Sequence, residues 1–474
     1  MAVDALPREG MPTHSGDMSI EARGLDPIPA HARYGSPGRI FTVWFTPNLV
    51  PAAFFVGTLA AAGFLQVGFV TGLLAIIVGN LIGSAVVGIL GTMGPATGMA
   101  QMPLARLAYG KSIVVPGILN WLSCIGWDGI NSVFGAAALT LLTGMPFVVS
   151  LTIIVIFQSA LGVIGYEAIH TFEKYMALAL GAMFVVLTVA ILGQASTGRT
   201  DGFTGPDQLG AFVLFSTICA SFVLAWSLYA SDYSRYLPVD TSRWGIFWAT
   251  VAGLTLSAGW IEALGLMVAD KSTGPSVNTI RDILGGGVLG ALAMVAIAVG
   301  TVAVNAINDY TGSLSLQAAG VRIPRIVSAL IVAILGFFFT LYLNSGDLAT
   351  NFENYLLFIS YWIAPWAAVV LVDWSQRRKP VDVTRLVHFG DLPSGTLALV
   401  SLLVGFIVSL PFQQSVVGEE IRKATGLPIN AISDDVLHYA DFAYIVGFIV
   451  AALVYWIGSR IVSPEPADEY PSGA

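Results

Sequence analysis

Trp44-Phe45-Thr46-Pro47-Asn48-Leu49-Val50-Pro51 places two prolines inside an apolar run that extends from Ile40 to Ala62. Proline lacks a backbone donor and its ring clashes with the preceding turn, so a helix carrying this octapeptide is interrupted and leaves carbonyls free. In lipid, freed backbone groups are tolerated only where protein or a wet cavity receives them. The octapeptide therefore predicts a discontinuous membrane helix whose break lines a cavity, with a plain kink as the alternative.

Working outward, the composition is that of a membrane protein. The 474-residue chain is 56% hydrophobic and only 11% charged, with a mean hydropathy of +0.79, too apolar to cover a water-facing surface. A hydrocarbon core about 30 Å thick needs about 20 apolar residues per helix. Twelve runs meet or approach that length: Ile40 to Ala62, Gly68 to Gly91, Ile113 to Leu139, Phe147 to Tyr166, Met176 to Leu192, Leu209 to Tyr229, Gly245 to Met267, Gly287 to Thr311, Ile323 to Leu343, Phe352 to Val372, Ser394 to Phe412 and Phe442 to Ile461. The eleventh is short.

With a cytoplasmic N-terminus, sixteen basic residues fall inside: Arg8, Arg23, Arg33, Arg39, Arg106, Lys111, Lys174, Arg235, Arg243, Arg322, Arg325, Arg377, Arg378, Lys379, Arg385 and Arg460. Only Arg199, Lys271, Arg281, Arg422 and Lys423 fall outside, the bias that the positive-inside rule expects. Both termini are thus expected in the cytoplasm. Residues 1–39 show no signal-peptide pattern and read as a soluble tail, and the end around Ser463-Pro464-Glu465-Pro466 reads as a disordered one. The net charge of −8, spread over loops and tails, points to no nucleic-acid partner.

Cys124 and Cys219 both fall in predicted helices, and the five histidines are scattered. Neither a disulfide framework nor a metal site is expected from them. With no glycine-rich phosphate loop and no Ser/His/Asp order, the chain does not read as an enzyme, and no cofactor is expected.

Ten helices followed by two is the count of a transporter built from two inverted five-helix repeats, each opening on a broken helix. The repeats would span residues 40–192 and 209–372, followed by a helix pair at 394–461 and a short tail at 462–474. The sixth span contains no proline, so a break there has less support. An internal echo accompanies the repeat. The third span carries Asn120, Cys124, Trp127 and Asn131 at offsets 0, 4, 7 and 11, and the eighth carries Thr301, Asn305, Asn308 and Gly312 at the same offsets. These offsets trace one helix face, so two polar stripes are expected across a central site. The alternative is that the asparagines glue helices together. Within the third stripe, Trp127 and Asn131 set an indole face and a carboxamide one turn apart, a pairing suited to a flat, uncharged, hydrogen-bonding ring such as a nucleobase.

Asp128, Glu262 and Asp309 also fall in predicted spans. A carboxylate at the bilayer centre costs at least about 2.5 kcal/mol, so each should face protein or water. Asp309 follows Asn308 near the stripe, and Asp128 lies about 100° around the helix from Trp127. Proton coupling is the functional reading for all three, and a buried structural acceptor is the alternative for Glu262.

Three segments carry a family resemblance: Gly94-Pro95-Ala96-Thr97-Gly98-Met99 leading to Arg106 and Tyr109-Gly110; Gly126-Trp127 with Asn131; and Trp226-Ser227-Leu228-Tyr229-Ala230-Ser231-Asp232-Tyr233-Ser234-Arg235-Tyr236-Leu237-Pro238. On these, the chain from about Gly24 to Arg460 resembles the nucleobase:cation symporter family 1, in its purine-cytosine and cytosine permease branch. The resemblance implies an all-α LeuT-type fold that holds substrate at the midplane between an aromatic of helix three, here Trp127, and one of helix six, here Trp226 with Phe222 next. It implies base-edge amides at Asn131 and at Asn305 or Asn308, with Thr46 and Asn48 as further polar contacts. Cys124 stands where bacterial cytosine permeases carry a glutamine. Ala306 and Ile307 stand where sodium-coupled members carry two hydroxyls, which favours a proton over sodium as coupling ion.

The expectation is a proton-linked importer of purines or cytosine in the plasma (inner) membrane, working by alternating access, with lipid and a small nucleobase as its partners and the oligomeric state left open. Another planar ring compound such as hydantoin, allantoin, thiamine or another vitamin is the first alternative. A receptor or channel without coupled transport is the second.

Overall fold

A computed structural model describes residues 25–61, 65–164, 166–272, 276–321, 323–377 and 381–462. Among the described residues every regular element is a helix. Each of the twelve apolar runs corresponds to one or to a bent pair. In order, the spans are Pro37–Phe45 with Pro51–Thr58, then Phe69–Gly91, Val114–Thr143, Phe147–Ile164, Tyr166–Leu192, Pro206–Leu224, Arg243–Met267, Val288–Ala318, Arg325–Ser345, Leu348–Gln376, Thr396–Ser409 and Ala443–Ile461. The chain is a multi-pass integral membrane protein.

The first span breaks where the prolines predict. Its helix ends at Phe45, passes through a 3-10 turn over Thr46–Asn48 and an extended Val50, and resumes at Pro51 after a bend of 66°. The sixth span changes winding without a proline: α-helix to Leu224, 3-10 helix over Ala225–Tyr229, then α-helix again over Ala230–Ser234. The eleventh ends at Ser409, ahead of Pro411, and turns by 89° into Val416–Thr425.

Loop contacts gather odd-numbered span ends on one face and even-numbered ones on the other. On one face, Phe69 N donates to Arg199 O at 2.9 Å, Gly202 N to Gln66 O at 2.8 Å and Ser196 N to Met267 O at 2.8 Å, joining the loops after spans one, five and seven. On the other face, Ile28 N donates to Gly98 O at 2.9 Å and Lys111 N to Pro393 O at 2.7 Å, joining the N-terminal segment and the loops after spans two and ten. Arg106, buried on this second face, donates to Gln317 O and Ala318 O at the C-terminal end of span eight and to Leu386 O and Val387 O. An arginine on the last carbonyls of a helix satisfies acceptors that would otherwise be orphaned.

The expected N-terminal tail begins to pack earlier than expected: Ile28 is buried, Arg33 donates to Pro95 O, and helix starts at Pro37. Residues 1–24, the Ser463–Pro466 end, and Arg8, Arg23, Arg322, Arg378 and Lys379 lie outside the described residues.

Small residues set the helix spacing. A Cβ on Gly57 of span one would lie 1.9 Å from Glu262 O of span seven, and one on Gly79 of span two would lie 2.2 Å from Ser216 O of span six. Side-chain-free positions let membrane helices approach backbone to backbone. Among the described residues, spans three and eight make the most extensive contact, with Gly117 against Ala319, Gly135 against Thr301 and Gly312 against Cys124.

Candidate substrate site

Trp127 is partly buried in the middle of span three, ringed by aromatic edges. Phe222 of span six lies 5.6 Å away centroid to centroid, and Tyr355 and Phe352 of span ten lie 5.4 and 6.5 Å away, all near-perpendicular. Phe55 of span one stacks on Phe352 at 5.7 Å with 29° between planes. The group thus joins spans one, three, six and ten. Gly126 makes room for it: a Cβ there would sit 2.2 Å from the Tyr355 ring. Tyr355 is held in place by donating its hydroxyl to Ser123 O at 2.7 Å.

Asn131, one turn above Trp127, makes no side-chain hydrogen bond among the described residues, and Thr46 likewise makes none. Asn131 borders a crevice lined also by Val50, Pro51, Leu180, Gly300 and Thr301, so an unused amide faces the break of span one.

The other expected contacts are placed differently. Asn48 is fully buried, donating to Trp44 O and Ser257 Oγ, each at 3.0 Å, while its Oδ1 accepts from Trp226 Nε1 at 3.0 Å. Its bonds tie the break to spans six and seven. Trp226 packs edge-on against Trp44 at 5.9 Å and Tyr229 at 5.7 Å, so the aromatic of span six that meets Trp127 is Phe222. Cys124 is buried with its Sγ 3.4 Å from the Tyr229 hydroxyl.

The two polar stripes touch directly instead of facing each other across a gap. Asn120 donates to Ser315 Oγ at 2.7 Å, and Thr301 Oγ1 is 3.5 Å from Asn131 O. Asn305 gives its amide to Asp128 O at 3.1 Å, Ser132 Oγ at 2.9 Å and Gln158 Oε1 at 2.9 Å. The reason is the small residues along both helices, which close the distance. Ala306 and Ile307 pack with Tyr310, Leu314 and Leu161 of span four, whereas Ile297, Gly300, Thr301 and Val304 face the break of span one. Of these four span-eight residues, Thr301 is the one with a side-chain hydroxyl.

The acids separate into two places. Asp128 is sealed between spans three, four and nine. Its Oδ1 accepts from Gln158 Nε2 at 2.6 Å, and Oδ2 lies where a Cβ on Gly336 would touch it. Asp309 is near enough to Asp128 to interact electrostatically, and neither of its oxygens has a hydrogen-bond partner among the described residues. Glu262 lies elsewhere, within spans two, six and seven, where Oε2 accepts from Asn80 Nδ2 at 2.5 Å and Cys219 is adjacent.

Sequence reasoning missed Phe352, Tyr355 and Gln158. Span ten is rich in aromatics, so its pattern alone does not single out two. Gln158 did carry a signal, as the single carboxamide in the apolar helix Phe147–Ile164.

A discontinuous first helix, crossing spans three and eight, and an aromatic-and-amide site between them define a LeuT-fold transporter. The chain belongs to the family of permeases for cytosine/purines, uracil, thiamine and allantoin, whose model matches residues 27–447. It is 26% identical to purine-cytosine permease fcyB of Emericella nidulans, over 93% of this chain and 88% of that protein. It is also 26% identical to the putative purine-cytosine permease YxlA of Bacillus subtilis, over 93% of this chain and 96% of that one. Among solved structures it resembles Mhp1, a nucleobase-cation-symport-1 family transporter, in a closed conformation with bromovinylhydantoin bound. The TM-score is 0.70 at 18% identity, covering 94% of this chain and 96% of that chain. The chain is a transporter, not an enzyme.

Proposed function

We propose that this permease imports a nucleobase, a purine or cytosine, by proton-coupled symport with alternating access, in the plasma (inner) membrane with both termini in the cytoplasm. The observation that carries the reading is Trp127, partly exposed and faced by Phe222, with the unused amide of Asn131 one turn away. Stacking on an aromatic contributes about 1–3 kcal/mol per base and tolerates any base. The choice among bases then falls to donor and acceptor order at Asn131, with Thr46, Asn308 and the Cys124 position at the edges of the site. The names of the fungal and bacterial relatives support the same substrate class.

Transport follows from the two-part build. Spans one, two, six and seven form a bundle knitted by Asn48, Ser257 and the Glu262–Asn80 bond, and spans three, four, eight and nine form a scaffold. Rocking the bundle on the scaffold exposes the site to each side in turn. Phe55 of span one stacks on Phe352, which meets Trp127 edge-on, so these rings link span one to the site.

Proton coupling is supported by two adjacent buried carboxylates with no basic partner among the described residues. Such groups cost several kcal/mol each unless a proton neutralises them. Sodium has less support, because span eight offers only the hydroxyl of Thr301 at the break, leaving Thr46, Asn131 and backbone carbonyls as the other oxygens there.

Uptake of radiolabelled adenine, guanine, hypoxanthine, cytosine and uracil into proteoliposomes tests the substrate class. Uptake of at least one, lost in Trp127→Ala, is the expected result. Uptake of none sinks the nucleobase reading and favours a second one, a different planar ring, which the thiamine and allantoin of the family description support.

A further inference from the structure

The scaffold contains a hydrogen-bonded chain whose links all run the same way. Asn308 Nδ2 reaches Asn305 Oδ1 at 3.5 Å, Asn305 Nδ2 donates to Gln158 Oε1 at 2.9 Å, and Gln158 Nε2 donates to Asp128 Oδ1 at 2.6 Å. Every donor points toward the carboxylate. Asn305, Gln158 and Asp128 are each 0% exposed, while Asn308 at the far end keeps 8%.

An ionised carboxylate only accepts hydrogen bonds, whereas a carboxylic acid also donates one. A protonated Asp128 with its hydroxyl toward span four needs an acceptor where the Gln158 amine now sits. A carboxamide is the neutral side chain that can meet both demands in one shape, by turning over and exchanging its NH2 with its oxygen. Once Gln158 turns, its NH2 faces Asn305, which must present its own oxygen in return, and Asn305 then offers its NH2 to Asn308. Ser132, whose Oγ is 2.9 Å from Asn305 Nδ2, can follow either orientation because a hydroxyl both donates and accepts. The carbonyl of Asp128, 3.1 Å from Asn305 Nδ2, only accepts, so the reversed state sets it against Asn305 Oδ1, a cost that the new bonds from protonated Asp128 to Gln158 and from Gln158 to Asn305 must outweigh.

We propose that Gln158 is a positioning residue that converts the protonation state of Asp128 into the orientation of Asn308, through a concerted reversal of the Gln158 and Asn305 amides. In the unprotonated state Asn308 spends its NH2 on Asn305 and leaves its oxygen free. In the protonated state it leaves its NH2 free. With Asn308 as the base-edge amide of span eight, as in the functional reading above, the substrate meets an acceptor or a donor according to the acid, and a base whose edge matches the second pattern binds with the proton. This inference rests on the proton-symport reading above and adds a route to it. Among the described residues, the titratable groups facing Asp128 are Asp309 of span eight and Cys124 of its own helix. Span four presents neutral Gln158, and span nine presents Gly336, with Thr340 bonded to Gly129 O next to it.

The test is equilibrium binding of radiolabelled adenine and cytosine to the full-length protein in nanodiscs from pH 5 to pH 8. Wild type should bind one of them more tightly as pH falls, by about 5- to 150-fold, the usual range of coupling between two sites. Gln158→Met keeps the length of the side chain and removes its hydrogen bonds, and it should bind with one affinity across the range. Asp128→Asn should be equally flat. A merely structural role for Gln158 would instead weaken binding by the same factor at every pH, and a full pH dependence in Gln158→Met overturns the relay while leaving proton symport standing. A flat wild-type profile overturns the coupling reading itself, and the relay with it. Gln158→Asn, which keeps an amide one methylene short of both partners, is read the same way if the methionine variant does not fold.

Discussion

In the proposed site Trp127 is the stacking side chain, and its neighbours divide into those that touch it and those that hold the frame. Trp127→Ala should weaken base binding by the stacking contribution of about 1–3 kcal/mol, read as a rise in Kd with little change in thermal stability. Phe222 and Trp226 should part company in the same assay. Phe222→Ala should raise Kd, because that ring meets Trp127 at 5.6 Å. Trp226→Phe should chiefly lower the unfolding temperature, because it removes the donor to buried Asn48 Oδ1, and a buried acceptor left unpaired costs about 1–3 kcal/mol. A Trp226→Phe protein of unchanged stability and weakened binding would reverse these roles. Trp127 and Asn131 stand out in the sequence as a partly polar turn in an apolar helix, and the structure sets Trp127 among Phe222, Tyr355 and Phe352. The sequence did not resolve the aromatic of helix six, because the 3-10 winding after Leu224 advances Trp226 around the axis toward Asn48, away from the phase a regular helix would give it.

At the scale of elements, the break in span one was readable from Pro47 and Pro51, since proline acts locally. The contact between spans three and eight was readable only as two faces. Whether a cavity or a sealed interface separates them depends on which small residues oppose each other. Gly117 meeting Ala319 and Gly312 meeting Cys124 are pairings between positions far apart in the chain. The same dependence on small residues gives two contrasting expectations. Gly57→Leu drives a side chain into the backbone of Glu262, 1.9 Å from its first carbon, and should leave no folded protein on size-exclusion chromatography. Gly126→Ala meets the Tyr355 ring instead, 2.2 Å away. Side chains can shift at a cost of about 1–3 kcal/mol, so this variant should fold and show altered base binding as Tyr355 moves off Trp127.

At the scale of the whole molecule, hydropathy predicts about twelve spans; among the described residues nine helices are long and apolar enough to cross a membrane, or up to eleven when each bent pair is one span, and the fourth run is shorter. The polar network of Asp128, Gln158, Asn305 and Asp309 was not legible in the sequence, because its members come from spans three, four and eight and acquire meaning only when those helices pack. That network bears on the central claim, that a proton gradient drives a nucleobase through this fold. The most direct measurement is accumulation of radiolabelled adenine or cytosine in proteoliposomes under an imposed gradient of one ion at a time. An inward proton gradient should concentrate the base above equilibrium, a protonophore should collapse the accumulation, and an inward sodium gradient at matched pH should produce none. Accumulation driven by sodium alone, or uptake that only equilibrates under either gradient, would contradict it.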